Sequence, residues 1–245
     1  MPVSVPTGYA SRGLCRPGTG RAYTADMREL LIPIWDLPVR LFHWTLLVLV
    51  GFSWWSGEQG ELWLKYHFWS GYAILTLVVF RIVWGFCGSD YARFAQFLRG
   101  PVTVLGSLRE LLGPQPMRSL GHNPLGGWMV LALLAVLLVQ TLTGLFANDD
   151  IMWEGPLYAH VSKDLSDRLT GLHGLNFDVL LALVAVHVLA IGWHRWRKGE
   201  RLVRAMVTGL KPAPSATGQS AFVSLWRAGV IFLIVALAVA GLVRL

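Results

Sequence analysis

The chain has 245 residues, 54% of them hydrophobic and 14% charged, against about a quarter charged in an ordinary soluble domain. A mean hydropathy of +0.52 and several apolar runs near the roughly 20 residues that cross a bilayer exclude a soluble globular enzyme. The net charge of +7 does not point to nucleic acid, because the basic residues flank apolar runs and form no patch interleaved with exposed aromatics.

In chain order, residues 1–30 are polar, with Arg12, Arg16, Arg21 and Arg28 among Gly, Pro, Ser and Thr and no apolar stretch fit for a signal peptide. They read as a tail, and Met27, which opens MRELLIPIWDLPVR, is an alternative start. Five apolar segments come next, at 39–55, 66–86, 126–147, 172–193 and 225–243. In a bilayer each must be a helix, which satisfies its own backbone hydrogen bonds. The expected fold class is an all-α membrane protein: a four-helix bundle plus a fifth, C-terminal span. Its divisions are the tail 1–30, the bundle 31–211, and a linker with the last helix, 212–245.

Orientation follows from Lys and Arg. The stretch to Arg40 carries five, 88–124 four and 195–221 six, whereas the two alternate loops carry one and two. The N-terminus is therefore expected in the cytoplasm and the C-terminus outside. Asp149, Asp150, Glu154, Asp164 and Asp167 gather in the outer loop after the third span. Between the second and third spans, 91–112 has weak helical periodicity, expected as an interfacial helix that Pro101 interrupts or restarts. Cys15 and Cys87 belong to no C-x-x-C pair, so no disulfide framework, zinc ribbon or covalent haem attachment is available.

The chemistry is carried by histidine. An ionisable side chain within a membrane helix is costly and has a partner as a rule. His173 and His187 are 14 residues apart, which returns to within about 40° of one helix face and separates them by about 21 Å along the axis. His43 lies near the cytoplasmic start of the first span and His67 at the outer start of the second. By depth, His43 matches His187, and His67 matches His173. A haem b between helices needs two imidazoles at equal depth on opposite faces of the porphyrin, and four histidines at two depths meet that requirement twice. A tetrahedral zinc site would need its ligands at one depth. The expectation is two non-covalent haem b groups with His43, His67, His173 and His187 as axial ligands.

Neighbouring residues supply further candidates. Arg40, one turn before His43, suits an inner haem propionate or serves as a positive-inside anchor. Gly51, Gly71 and Gly171 would relieve crowding beside a macrocycle, helix packing being their commoner role. His194 competes with His187 for the inner position, but it opens the basic run HRWRKGER and is expected at the surface. His122 is expected to cap a helix or meet a propionate. Arg81 is expected at a lipid phosphate or a propionate. Asp178 would make a helix–helix hydrogen bond or deliver protons to a quinone. The rival class is a small transporter or structural subunit with incidental histidines, against which stands the lack of an internal repeat or interrupted helices.

The motifs WDLPVRLFHW at 35–44, HFWSGYAILTLVVFRIVWG at 67–85, GHNPLGGWMV at 121–130, TGLF at 143–146 and LHGLNFDVLLALVAVHVLAI, followed by KGE and MVTG, resemble the bacterial transmembrane cytochrome b561 family. That family includes the b-type cytochrome subunit of nickel-iron hydrogenases. The resemblance covers about 34–211 and leaves out the tail and the fifth span. It implies a four-helix di-haem core in a bacterial inner membrane, with His43, His67, His173 and His187 as ligands. It also implies electron transfer between a quinone and a partner such as a c-type cytochrome or a hydrogenase. Quinol-linked reductase and superoxide-oxidising activities stay open within it.

Overall fold

The computed structural model describes residues 30–113, 120–213 and 221–244; the expected tail, apart from Leu30, and the Met27 start lie outside them. Five helices in the described residues are long and apolar enough to span a membrane: α1 (Leu37–Glu58), α2 (Glu61–Cys87), α5 (Pro124–Gly144), α6 (Lys163–Arg197) and α8 (Leu225–Leu242). Local chemistry fixes their starts. Asp36 caps α1, its Oδ1 accepting from the Val39 amide at 2.9 Å, with Pro38 in the first turn. Asn123 caps α5, its Oδ1 accepting from the Gly126 amide at 2.5 Å, and Pro124 opens the helix. Gly60, at φ +82°, makes the tight corner that folds α1 back against α2.

Helix α2 is the hub. It packs on α1, α5 and α8, while α5 packs on α6. Half of its apolar window is buried, against 17% for α1 and α8 and 11% for α6. The main core joins Phe42, Ile74, Leu77, Val78, Leu134, Leu137 and Leu180, from α1, α2, α5 and α6. Around it, Leu47, Val48, Val179, Leu189 and Leu237 point outward and are exposed, as lipid-facing residues are in a bundle. At one end of the α1–α2 hairpin, Trp55, Trp63, Tyr66 and Trp69 form a chain of ring contacts with centroids 4.5 to 5.6 Å apart, a girdle of the kind found at membrane–water interfaces.

Three elements differ from the expectations. Helix α6 begins at Lys163, well before the apolar stretch, because Ser162 caps it and Lys163–Asp167 and Arg168–Asp164 pair one turn apart. The expected helix at 91–112 is three pieces: a 3₁₀ turn at Asp90–Ala92, α3 (Phe94–Phe97) and α4 (Pro101–Leu112). Pro101 restarts it. Phe94 and Phe97 turn into the core, whereas Leu105 and Leu108 of α4 stay exposed. A two-stranded antiparallel ribbon was not expected at all: β1 (Leu30–Pro33) pairs with β2 (Leu210–Ala213), Leu30 opposite Ala213 and Pro33 opposite Leu210. The ribbon and α7 (Leu202–Thr208) close the end of the bundle that holds Trp35, Asp36 and Arg40.

Candidate functional site

His67 on α2 and His173 on α6 face each other across a cavity of about 340 Å³. Their ring centres are 6.1 Å apart and their planes 76° to one another. A metal–imidazole bond is about 2 Å and the ring centre lies about 1 Å beyond its nitrogen, so two imidazoles on one ion stand about 6 Å apart. Both rings are oriented by backbone. Nδ1 of His67 donates to the Ser53 carbonyl at 2.8 Å, and Nδ1 of His173 donates to the Gln140 carbonyl at 2.9 Å. A proton held on Nδ1 leaves Nε2 as the lone-pair nitrogen, the tautomer a metal takes. Asn176 braces the second carbonyl's helix, donating to the Val136 carbonyl at 3.0 Å and to Gln140 Oε1 at 2.6 Å.

Glycines bring these backbones close. A Cβ on Gly57 would stand 3.0 Å from His67 Nδ1, and one on Gly144 3.0 Å from His173 Cε1. Neither was singled out by sequence, because ring contact from a glycine leaves no pattern. Gly51, Gly71 and Gly171 each face open space, and Gly71 lines the cavity. Trp54, Phe177 and Leu137 give it apolar walls; Asp149 and Trp153 stand in its lining from the loop between α5 and α6.

His43 on α1 and His187 on α6 lie within electrostatic reach of each other and of His122. His43 Nδ1 is buried without a hydrogen-bond partner among the described residues, unlike the carbonyl-anchored rings of the first pair. Arg40 does lie beside this pair's end of α1, but its Nη2 donates to the Val207 carbonyl, so the side chain also clasps α7.

Three expectations are corrected. Arg81 does not reach lipid: it is 2% exposed, inside the bundle, with its guanidinium 5.3 Å from the Phe94 ring. His122 caps nothing, since Asn123 is the cap; its ring sits 4.5 Å from Trp35 and 4.7 Å from Phe97. Burial first, then Arg81, His187, Lys211 and His43, push its pKa down to about 3, so it is neutral at physiological pH. His194 is buried, 5% exposed, with Glu200 folded back to 3.4 Å from it. His160 and Asp178 are exposed and join neither pair.

A membrane-spanning bundle that sets two tautomer-fixed imidazoles, His67 and His173, opposite one another suits a protein that grips a flat metal cofactor between helices. The model of the prokaryotic cytochrome b561 family matches residues 34–209, and the chain belongs to that family. It is thus an all-α prokaryotic membrane protein, a b-type cytochrome that binds haem and takes part in electron transfer. No curated protein and no solved structure matches the chain.

Proposed function

We propose that the chain holds two non-covalent haem b groups, one between His43 and His187 and one between His67 and His173. In this reading it carries electrons between a membrane quinone pool and a partner redox protein, a c-type cytochrome or a hydrogenase-like oxidoreductase. The membrane is the bacterial inner membrane, the N-terminus lies in the cytoplasm, and Arg40 serves the inner group. The observation that carries the reading is the facing of His67 and His173 at 6.1 Å with both Nδ1 atoms donated to backbone. The second site is inferred from spacing, His187 lying about four turns along the same helix from His173.

Bound there, haem supplies reversible one-electron chemistry. The chain's own part is positional. His67 with His173, and His43 with His187, would hold the haem iron through imidazole nitrogens, and a haem so held would relay single electrons. The Ser53 and Gln140 carbonyls fix the ring orientations and raise ligand basicity. Trp54, Leu137 and Phe177 give the pair formed by His67 and His173 apolar walls. Two groups at two depths divide the width of the hydrocarbon into short steps, and the partner then decides the direction of flow.

A pyridine haemochrome assay against protein concentration tests the stoichiometry: two haems per chain are expected, extractable by acid acetone. A ratio near one, or haem that resists extraction, overturns it. In potentiometric titration His43→Ala and His187→Ala should remove one redox component and His67→Ala and His173→Ala the other. Loss of the same component from His43→Ala and His67→Ala would break the pairing.

A further inference from the structure

The inner end of the bundle collects buried polar atoms that nothing in the described chain satisfies. Arg40 Nε, His43 Nδ1, Arg81 Nη1, His122 Nδ1 and His194 Nδ1 are all enclosed without a hydrogen-bond partner. His194 at least faces Glu200. A buried donor without a partner loses its hydration for nothing, and a buried charge loses more.

Arg81 is the sharpest case. On α2 it is 14 residues from His67, so it lies on nearly the same helix face about four turns further in, as His187 does relative to His173. It is 2% exposed, which no lipid headgroup reaches. The acid it senses is Asp36, but both Asp36 oxygens are already engaged. Oδ1 accepts from the Val39 amide and Oδ2 from Trp84 Nε1, each at 2.9 Å.

An aromatic wall links Arg81 to the other orphans. Its guanidinium lies over Phe94, Phe94 meets Phe97 edge-on at 5.8 Å, and Phe97 and Trp35 flank His122. Behind Trp35, its carbonyl and the Arg40 side chain crowd the same point beside Gly209. His122 lies within electrostatic reach of Arg81, His187, Lys211 and His43. Lys211 already faces the Glu200 carboxylate at 4.0 Å, whereas the Arg81 guanidinium shares Asp36 with the Val39 amide and the Trp84 indole. A flat, apolar wall with one buried guanidinium and unfilled N–H donors at its rim, next to the inner histidine pair, has the form of a carboxylate receptor.

We propose that Arg81 and His122, with Arg40 Nε, form a carboxylate pocket at the inner end of the bundle, and that its ligands are the propionates of the haem held by His43 and His187. This rests on the two-haem reading. Reduction of a haem adds negative charge, so a buried cation beside it favours the reduced form, and removal of that cation lowers the potential of that haem alone.

The test is potentiometric titration of the purified full-length protein in detergent, the inner component being the one lost in His43→Ala. Arg81→Gln should lower the potential of that component and leave the outer one unmoved at unchanged haem content. Arg81→Lys should recover most of the shift, and His122→Leu should give a smaller shift of the same sign. Apoprotein reconstituted with haem dimethyl ester, whose propionates carry no charge, supplies the second arm. There the inner potential should no longer respond to Arg81→Gln.

A persistent response with the ester would mean that Arg81 acts through Asp36 or holds another anion, and the proposal falls. It also falls if the wild type shows two components and neither moves in Arg81→Gln. A wild type with one component overturns the two-haem reading itself. Should Arg81→Gln fail to accumulate, His122→Leu and Arg81→Lys carry the same comparison between haem and its ester.

Discussion

Asp36 shows how much one side chain can hold. It caps α1, accepts from the Trp84 indole and offsets the charge of Arg81, all while 6% exposed. Asp36→Ala removes a cap worth about 1 kcal/mol and leaves a buried indole N–H and a guanidinium uncompensated, where breaking a buried pair costs about 3–5 kcal/mol. Thermal unfolding in detergent should fall steeply for Asp36→Ala and less for Asp36→Asn, which keeps the capping acceptor. The glycines against the rings give a subtler test. Gly57→Ala and Gly144→Ala each place a Cβ 3.0 Å from a histidine ring atom, so each should perturb the outer redox component only. Gly229→Ala on α8, which meets nothing within 4 Å, should perturb neither. At this scale spacing along the helices matches His67 to His173 in depth, and their rings do face each other at 6.1 Å. The sequence was silent where the partner is backbone: the Ser53 and Gln140 carbonyls have no residue signature. His194 was misplaced because the basic run around it hid a return of the chain through Gly199, at φ +68°, that brings Glu200 back over the ring.

Apolar runs in the sequence located the five long helices, since hydropathy alone selects what can lie in lipid. Their polar extensions escaped it. The first turns of α6 are held by a cap and ion pairs that hydropathy does not register, and the ribbon β1–β2 consists of four-residue strands too short for any period. The outer loop between α5 and α6 is ordered by Asp149, whose Oδ1 accepts from the amides of Trp153 at 2.8 Å, Met152 at 2.9 Å and Ile151 at 3.0 Å. Those bonds, the one from Trp153 foremost, hold its carboxyl below the usual carboxylate range. A carboxyl depressed in the folded state stabilises the loop above the unfolded value of about 3.9, and the contribution is lost as pH falls through the folded value. Proteolytic cutting of this loop should therefore stay constant through neutral and mildly acidic pH, rise only in strong acid, and be high already at pH 7 in Asp149→Ala. Helix α8 belongs to another part of the design. It buries Ala228, Val235 and Val239 against α2 and the outer face of the core and touches neither histidine pair. Deletion of 214–245 should leave haem stoichiometry unchanged and lower the detergent melting temperature; loss of a haem would show that α8 belongs to the cofactor-binding unit.

For the molecule as a whole, charge differs between the two ends of the bundle. Lys and Arg concentrate at the end that holds Arg40, Arg81 and Lys211, and the outer loop is acidic. Reporter fusions after Lys211 and after the C-terminal residue should report opposite sides of the membrane; two cytoplasmic reports would mean that Leu225–Leu242 does not cross. The family match ends at residue 209, before the last span. The two ends of the bundle are built differently. Carbonyls and glycines grip the outer rings, while cations and orphaned donors surround the inner ones. The first arrangement fixes orientation, and the second waits on charge.

The ribbon at the inner end has a consequence in time. Strand β1 leaves the ribosome first among the described elements, yet its partner β2 starts at residue 210. At about 5–20 residues per second, β1 waits roughly 10–40 s, while the helices carrying all four histidines of the two pairs enter the membrane. On the proposed pairing, the outer pair would be complete once α6 is inserted, and the inner end would stay unlatched until the ribbon forms and Arg40 closes on Val207. Loading should accordingly be sequential. Chains cut after residue 197 are expected to retain the outer haem and lose the inner one, and a truncation series read by haem content would reveal the order.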